Sequence, residues 1–215
     1  KSYNANDDEL PALGARRCIM VDKAFDPDQH FPIECSDEER EAYGSDVGFI
    51  GSYAAERGAD LLHLAKAGFS VRVWGNGWVS YNDTHPNLAV ERRALVNTDD
   101  DLRYTKGIVA TRINIGFLRK ANRDLQTDRS IEIPACEGFM LAEHSDEHAR
   151  LFNDGTEAVF YHNQDELVAK TRHYLTHEKE RQAIAVAGRQ RCLDGGYSHD
   201  ERLEFMLTQA LDTRP

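Results

Sequence analysis

The segment FLRKANRDLQTDRSIEIPACEGFML, residues 117–141, places acidic, hydroxyl and basic side chains between two apolar runs. Asp124 and Glu132 are eight residues apart, the first in a loop and the second inside the helix that we predict next. Thr127 and Ser130 stand near the start of that helix, where unpaired backbone N–H groups and the helix dipole favour an anion. These residue types therefore suit an anionic ligand that also carries hydroxyl groups.

Basic residues of the same segment supply the charge that such an anion requires. Arg119, Lys120 or Arg123 can neutralise a diphosphate held at the helix start, and the two carboxylates can then accept hydrogen bonds from sugar hydroxyls on either side. One diphosphate-containing ligand accounts for the whole cluster. The alternative is a capped helix with ordinary surface ion pairs, which are common and contribute little to stability.

Alternating strand and helix patterns position this segment. An apolar run at 47–50, a helical pattern that ends at Gly68 and an apolar run at 71–74 form a βαβ unit, which favours a parallel sheet. Further strands are predicted at 94–96, 113–117, 139–142 and 158–161, and helices at 99–105, 127–136, 146–152, 165–176 and 178–192, the last two closing the domain. The predicted fold is α/β, a parallel sheet flanked by helices, and such sheets bind ligands beyond the carboxyl ends of their strands.

Two glycine-containing turns follow the first two strands. FIGSYAAERG, residues 49–58, leads from a strand into a helix, which is the position of a phosphate-cradling loop, although it lacks the G-x-G-x-x-G pattern of a dehydrogenase. A helix-capping turn with a solvated Arg57 is an equal alternative. In WGNGW, Gly75 allows a ligand to approach the backbone closely, and an ordinary turn is again an equal alternative.

The composition limits the class of protein and its partners. The chain has 215 residues, 40% of them hydrophobic, and 26 basic against 37 acidic residues give a net charge of -11, which disfavours nucleic-acid binding. Four cysteines without CxxC spacing, and no secretory apolar segment, predict reduced thiols and a cytoplasmic location. No run approaches the roughly 18 apolar residues of a membrane span.

Histidines offer the only pattern that suggests a metal. His144 and His148 are four residues apart within EHSDEH, but the H-E-x-x-H order and a third ligand are missing. His173 and His177 have the same spacing and are predicted to lie on the polar face of a surface helix. We therefore predict no metal site.

Seven runs resemble the C-terminal half of the spore-maturation CgeB-like glycosyltransferases, whose GT-B architecture consists of two Rossmann-like domains. The runs are DVGFIGSY, RVWGNGW, FLRKANRD, RSIEIPACEGFMLAE, DEHARLFNDGTEAVFY, DELVAKTRHYLTH and RQRCLDGGYSHDERL, within residues 46–203. LGARRCIMVDKAFDP is similar to the segment that enters this half. The resemblance implies that residues 46–215 form a Rossmann-like nucleotide-sugar-binding domain, one half of a GT-B enzyme. Residues 1–45 would be a connecting arm from a missing or separate N-terminal half.

The resemblance also implies roles for the candidate residues. Arg57, just before Gly58, would contact the donor diphosphate, while Ser52 stands near the position where this class often has an arginine. Retaining members carry two glutamates separated by seven residues, and here Asp124 takes the first position and Glu132 the second, which would bind ribose. The implied catalytic residues are Arg57, Asp124 and Glu132. The implied substrate-binding residues are Gly51, Ser52, Gly75, Arg119, Lys120, Asn122, Arg123, Thr127, Arg129 and Ser130.

The implied reaction is transfer of a sugar from a nucleoside diphosphate sugar to an acceptor hydroxyl, with retention at the anomeric carbon. Arg57 and the helix start at 127–130 would stabilise charge on the leaving diphosphate, so neither a metal nor another cofactor is expected. The acceptor would be a glycan, a protein or a small molecule. Two alternatives stay open: a non-catalytic nucleotide-sugar-binding or interaction module, and another enzyme of this architecture, such as a nucleotide-sugar epimerase.

Overall fold

The chain folds around a six-stranded parallel sheet in a computed structural model that describes residues 9–81, 83–91 and 94–211. Its strands are β1 (Ser45–Ile50), β2 (Val71–Trp74), β3 (Leu88–Glu91), β6 (Thr111–Gly116), β7 (Met140–Glu143) and β8 (Val159–Tyr161). Two short strands, β4 (Asn97–Thr98) and β5 (Asp101–Leu102), pair separately and antiparallel. The order in the large sheet is β3-β2-β1-β6-β7-β8, and every neighbouring pair is parallel. The predicted α/β fold class is confirmed.

Nine helices connect or flank these strands in the described part of the chain. They are α1 (Leu10–Ala12), α2 (Asp37–Tyr43), α3 (Ala55–Lys66), α4 (Arg103–Ala110), α5 (Arg129–Ala135), α6 (Asp146–Leu151), α7 (Gln164–Thr176), α8 (Glu178–Asp194) and α9 (His199–Leu211). Side-chain caps begin several of them: Ser36 forms a capping box with Glu39, and Ser145 and Asn163 accept backbone N–H groups of α6 and α7. None of these helices is both long enough and apolar enough to cross a membrane.

Alternate strand residues face two separate cores, as the period of two in a β-strand requires. On one side, Phe49 and Leu141 pack with residues of α3 and α7. On the other side, Met140 and Phe160 pack with Ile131 and other residues of α5 and α8. Both faces of the sheet are covered, which explains why its strands appear in the sequence as nearly continuous apolar runs.

Two predicted elements between β2 and β6 are wrong. Residues 94–96 form no strand. The strand that pairs with β2 lies earlier in the chain and is β3. The predicted helix at 99–105 begins only at Arg103, because Asp99 and Asp100 form the turn between β4 and β5. The Asn97 side chain caps the helix from outside, since its Oδ1 accepts the N–H of Tyr104 at 2.9 Å. The local sequence pattern could not predict this cap, because Asn97 lies seven residues before Tyr104 and outside the helix.

The chain also continues beyond the two helices that were predicted to close the domain. Helix α9 follows α8 and has no buried residue. It contacts the rest of the protein through Arg202, which lies 3.6 Å from Asp22, and through Gln209, which accepts hydrogen bonds from Arg17. The sequence prediction missed this helix.

The N-terminal segment packs onto the sheet domain over its described part. Phe25 is only 3% exposed and lies in the second core, and its backbone exchanges hydrogen bonds with Tyr197 and His199. Residues 1–8 lie outside the described residues. The division into an arm at 1–45 and a domain at 46–215 stays a prediction.

Candidate functional site

A cavity of about 540 Å³ opens at the carboxyl edge of the sheet, beside the point where the strand order reverses between β1 and β6. Open α/β sheets bind ligands at this point. We call it the arginine cavity. It is lined by Met20, Val21, Asp22, Lys23, Ser52, Arg57, Arg119, Asn122, Asp124, Gln126, Thr127, Asp128 and Arg129.

Three arginines converge on this cavity. Arg57, in the first turn of α3, is 2% exposed and donates to the backbone oxygen of Ser52 at 3.0 Å, while its Nε has no partner. Arg129 Nε is also buried without a partner, and both guanidinium groups lie over the ring of Phe49, at 5.4 and 5.6 Å. Arg119 is exposed at the rim. Three carboxylates also line the cavity, and two of them have other partners: Asp128 pairs with Lys23 and Asp22 with Arg150. Positive charge is therefore concentrated on the part of the wall that the arginines form.

Nothing in the described part of the chain neutralises this charge by direct contact. None of the three arginines forms an ion pair with a carboxylate, whereas the neighbouring Lys120 and Arg123 both do. Burial lowers the pKa of Arg57, and the positive charges of Arg129 and Arg119 lower it further. A bound anion would relieve this repulsion and satisfy the unpaired donors, so the arrangement suits a phosphate or diphosphate.

The start of α5 differs in detail from the expectation for Thr127 and Ser130. Thr127 lines the cavity, but Ser130 is 1% exposed and its hydroxyl faces the interior. That hydroxyl accepts the N–H of Thr127 at 2.9 Å and lies 2.7 Å from Nε2 of His148. The Ser130 hydroxyl therefore stabilises the start of the helix, and it does not point towards a ligand in the cavity.

Glu132 does not line the arginine cavity. Its carboxylate accepts a hydrogen bond from the Tyr104 hydroxyl and lies 3.9 Å from Nε2 of His30. Burial raises the pKa of Glu132, although the bond from Tyr104 opposes this. Burial, followed by the charge of Glu132, raises the pKa of Tyr104 well above 10. Asp128, one helical turn earlier, does line the cavity and pairs with Lys23 at 2.9 Å.

The structure divides the sequence-predicted site residues into two groups. It brings together Ser52, Arg57, Arg119, Asn122, Asp124, Thr127 and Arg129 at the arginine cavity. It places Gly51, Gly75, Lys120, Arg123, Ser130 and Glu132 away from the cavity wall.

The members of the second group have other partners. Gly51 accepts the indole N–H of Trp78 at 2.8 Å and packs against Gly75, where a φ of +143° and the nearby Gly51 carbonyl leave no room for a Cβ. Arg123 pairs with Glu9 through two hydrogen bonds of 2.7 and 3.0 Å. Lys120 lies 3.9 Å from Glu143. The glycines thus serve the packing of the two turns against each other.

Sequence reasoning missed the contribution of residues 20–23 to the cavity wall. Asp22 accepts a hydrogen bond from Gln126 at 2.8 Å, and the Lys23 backbone donates to Gln126 at 2.9 Å. These partners are about a hundred residues apart in the chain. The short apolar run at 18–21 was visible in the sequence, but no pattern connects it to the segment at 117–141.

The histidine pairs do not form a metal site in the described residues, where no group of three or more potential ligands converges. His148 is fully buried, stacks on Phe160, and its Nδ1 lies 2.7 Å from the backbone oxygen of Glu143. Burial lowers its pKa to about 4, so its ring is neutral at physiological pH. His173 and His177 stack on each other at 4.0 Å on exposed surface.

A family model described as glycosyl transferase-like matches residues 57–208, which contain most of the sheet and much of the cavity wall. The chain belongs to this family. This glycosyl transferase-like chain matches no curated protein in a sequence comparison. Its family membership therefore rests on the family model.

Solved structures show that the glycosyl transferase-like chain has the fold of a GT-B glycosyltransferase domain. The structural match with Anabaena HepE in complex with UDP and glucose includes 98% of this chain, with a TM-score of 0.69 and 10% identity. The match with the sucrose-phosphate synthase of Thermosynechococcus elongatus includes 97% of this chain, with a TM-score of 0.68 and 11% identity. The match with the C-terminal domain of a group 1 glycosyl transferase, LpcC, from Francisella tularensis includes 82% of this chain, with a TM-score of 0.57 and 13% identity.

The chain spans only part of the two longer neighbours. It covers 61% of the HepE structure and 56% of the synthase, but all of the Francisella C-terminal domain.

Proposed function

We propose that this domain binds a nucleoside diphosphate sugar and forms the donor half of a glycosyltransferase that transfers the sugar to an acceptor hydroxyl. The observation that carries the proposal is the convergence of Arg57, Arg119 and Arg129, without a carboxylate partner, on a cavity of about 540 Å³. Family membership and the UDP-containing HepE neighbour make a nucleotide diphosphate the natural anion.

In this proposal the arginines hold the diphosphate and stabilise the negative charge that develops when it leaves. Guanidinium groups supply several N–H donors in a fixed fork, which matches the oxygens of a phosphate. The chemistry therefore requires no divalent metal and no other cofactor. Asn122 and Asp124, at the same cavity, would contact the sugar.

Glu132 keeps its proposed role as the ribose ligand, on the strength of the family resemblance. The resemblance also supports a CgeB-like enzyme, retention at the anomeric carbon and a cytoplasmic location. The acceptor site would lie largely in a second, N-terminal domain. A glycan, a protein or a small molecule remains the proposed acceptor.

A second candidate function is a non-catalytic nucleotide-sugar-binding module. One observation favours it: the carboxylate of Glu132, one of the implied catalytic residues, lies outside the arginine cavity and accepts the Tyr104 hydroxyl. A turnover assay of the full-length protein separates the two candidates. Sugar transfer or donor hydrolysis supports the enzyme, and binding without turnover supports the module.

Calorimetry with UDP, GDP, ADP and TDP, and with their sugar conjugates, tests donor binding. The informative variant is Arg119→Ala, and Arg123→Ala is the matched control, because both side chains are exposed on the same loop but only Arg119 lines the cavity. A hydrogen bond to a charged group is worth about 1.5–3 kcal/mol, so we expect Arg119→Ala to weaken binding by about 10- to 150-fold. Arg123→Ala should stay within about twofold.

Absence of binding to every nucleotide, or equal losses in the two variants, would refute the donor site. Two further measurements on the full-length protein test the chemistry. Activity should survive EDTA if the arginines alone neutralise the diphosphate. NMR of the product should show the anomeric configuration of the donor if the enzyme is retaining.

A further inference from the structure

A second cavity, of about 630 Å³, opens at the same edge of the sheet, on the side covered by α3 and α7. Its wall includes the last residues of two strands, Glu143 of β7 and Tyr161 of β8. Asp60, Lys120 and Asn163 add further polar side chains to the wall. We call it the tyrosine cavity. None of its residues lines the arginine cavity.

The hydroxyl of Tyr161 is the unusual feature of this cavity. The residue is 4% exposed, and its hydroxyl has no hydrogen-bond partner in the described part of the chain. Burial, with the charges of Glu143 and Asp60, raises the pKa of this phenol well above 10, so it keeps its proton and can donate. A buried hydroxyl without a partner is unfavourable, and a ligand hydroxyl would remove that penalty.

Other groups of the wall alternate between acceptors and donors. Glu143 accepts the N–H of Leu118 at 2.7 Å and lies 3.9 Å from Nζ of Lys120. Asp60 accepts the side-chain amide of Gln164 at 2.6 Å. The Asn163 carbonyl caps α7, which leaves its NH₂ group unpaired among the described residues. Remaining carboxylate lone pairs therefore stand beside ammonium, amide and phenol donors.

We propose that the tyrosine cavity binds an uncharged carbohydrate. Hydroxyl groups both donate and accept, so they match a wall in which the two kinds of partner alternate. Four carboxylates line the cavity, those of Glu56, Asp60, Glu143 and Asp165, and they repel an anion such as phosphate. A purely cationic ligand would offer no acceptor to the Tyr161 hydroxyl or to the NH₂ group of Asn163.

The two cavities are neighbours. Glu56 and Lys120 line the tyrosine cavity, while the adjacent residues Arg57 and Arg119 line the arginine cavity. A carbohydrate would therefore lie next to the proposed diphosphate site but outside it. The Tyr161 hydroxyl is covered, so a ligand reaches it through a side-chain shift at the wall.

Ligand-observed NMR on the full chain tests this site with glucose, N-acetylglucosamine and maltose as probes. Spermidine and inorganic phosphate serve as cationic and anionic comparisons. We expect saccharide binding that Tyr161→Phe weakens by about three- to tenfold, the usual effect of losing one hydrogen bond. The matched control is Tyr174→Phe, which changes a buried tyrosine of the same core outside the cavity.

A second variant, Glu143→Gln, keeps the shape of the wall and should also weaken saccharide binding. Thermal unfolding of each variant establishes that it is folded. No saccharide binding, or equal loss in both tyrosine variants, would overturn the proposal, and so would binding of spermidine alone. Displacement of the saccharide by excess UDP would place it in the arginine cavity instead. Because the saccharide is measured without nucleotide, this result is independent of whether the donor-site proposal holds.

Discussion

Arg57 combines features that are unfavourable for stability but suited to binding an anion. Its guanidinium is almost fully buried, one nitrogen has no partner, and two other arginines lie close enough to lower its pKa. Buried charges are normally paired, because an unpaired charge in a protein interior is unfavourable. The protein keeps this charge where an anionic ligand would neutralise it, which is typical of a binding site and not of a structural core.

Arg57→Leu should therefore separate stability from binding. We expect the free energy of unfolding to stay unchanged or to rise, because the substitution removes a buried charge and its repulsion with Arg129. Affinity for a nucleoside diphosphate should fall by at least about tenfold. Urea denaturation and calorimetry measure the two effects. Arg112→Leu is the control, since Arg112 pairs with Asp46 far from the cavity, and a large loss of stability in Arg57→Leu alone would contradict this view.

Glu132 predicts a dependence of stability on pH. Burial raises its pKa above the ordinary value of 4.5 in the folded protein, so the folded state holds this proton more tightly than the unfolded state. The contribution of Glu132 to the free energy of unfolding therefore falls as pH rises from 4.5 through the raised pKa.

Glu132→Gln lacks this titration and can still accept the Tyr104 hydroxyl. The melting temperature of the variant, relative to wild type, should increase between pH 4.5 and pH 8. Glu137→Gln, an exposed position just after the same helix, should show no such change. A constant difference between Glu132→Gln and wild type across this range would count against a raised pKa.

At the scale of elements, the position of α5 decides where the cavity residues stand. The helix is short and contains Pro134, and its buried face packs against α8. Gly188 of α8 sits against the carbonyl oxygen of Glu157 and near Pro134, and a Cβ at this position would overlap that oxygen. The close approach of α8 to the backbone of Glu157 and to the end of α5 at Pro134 therefore depends on the absence of a side chain at Gly188.

Two glycine-to-alanine substitutions test this packing. Gly188→Ala should lower the free energy of unfolding by about 1–3 kcal/mol, because the backbone carbonyl it meets cannot move away easily. Gly107→Ala in α4 is the matched control, because its Cβ would meet only the flexible ends of Leu95 and Ile50. We expect its effect to lie within about 1 kcal/mol, helped by the higher helix propensity of alanine. Equal effects in urea denaturation would disprove the packing argument.

At the scale of the whole molecule, the arginine cavity is a local positive site on an acidic protein. The net charge of -11 repels extended polyanions, whereas three arginines at one cavity attract a small anion at short range. The protein should therefore discriminate between a free nucleotide diphosphate and the phosphate backbone of a nucleic acid.

Thermal unfolding with two ligands checks this discrimination. Free UDP, or whichever nucleotide binds best, at about 100 times its Kd should raise the free energy of unfolding by about 2.7 kcal/mol. A 20-base-pair DNA duplex in about 0.15 M salt, a conventional test ligand, should leave the melting temperature unchanged. Stabilisation by the duplex would show that local positive charge outweighs the net charge.

The sequence by itself determined the architecture and the edge of the sheet where the arginine cavity opens. Apolar runs alternating with helical patterns predicted the parallel sheet. Arg57, Arg119 and Asp124 could be assigned to one edge of it, because each belongs to a segment that follows a strand and parallel strands all end at the same edge. The errors at 94–96 and 99–105 arose where a distant cap and a small hairpin replaced the local pattern.

Only the tertiary structure decided which side chains face a cavity. Ser130 faces His148 and Glu132 faces Tyr104, whereas residues 20–23 join the cavity wall through Gln126. The unpaired hydroxyl of Tyr161 likewise appears only once β8 is packed against its neighbours. Sequence periodicity fixes the order of elements, but side-chain direction depends on packing between residues that are far apart in the chain, and no local pattern contains that information.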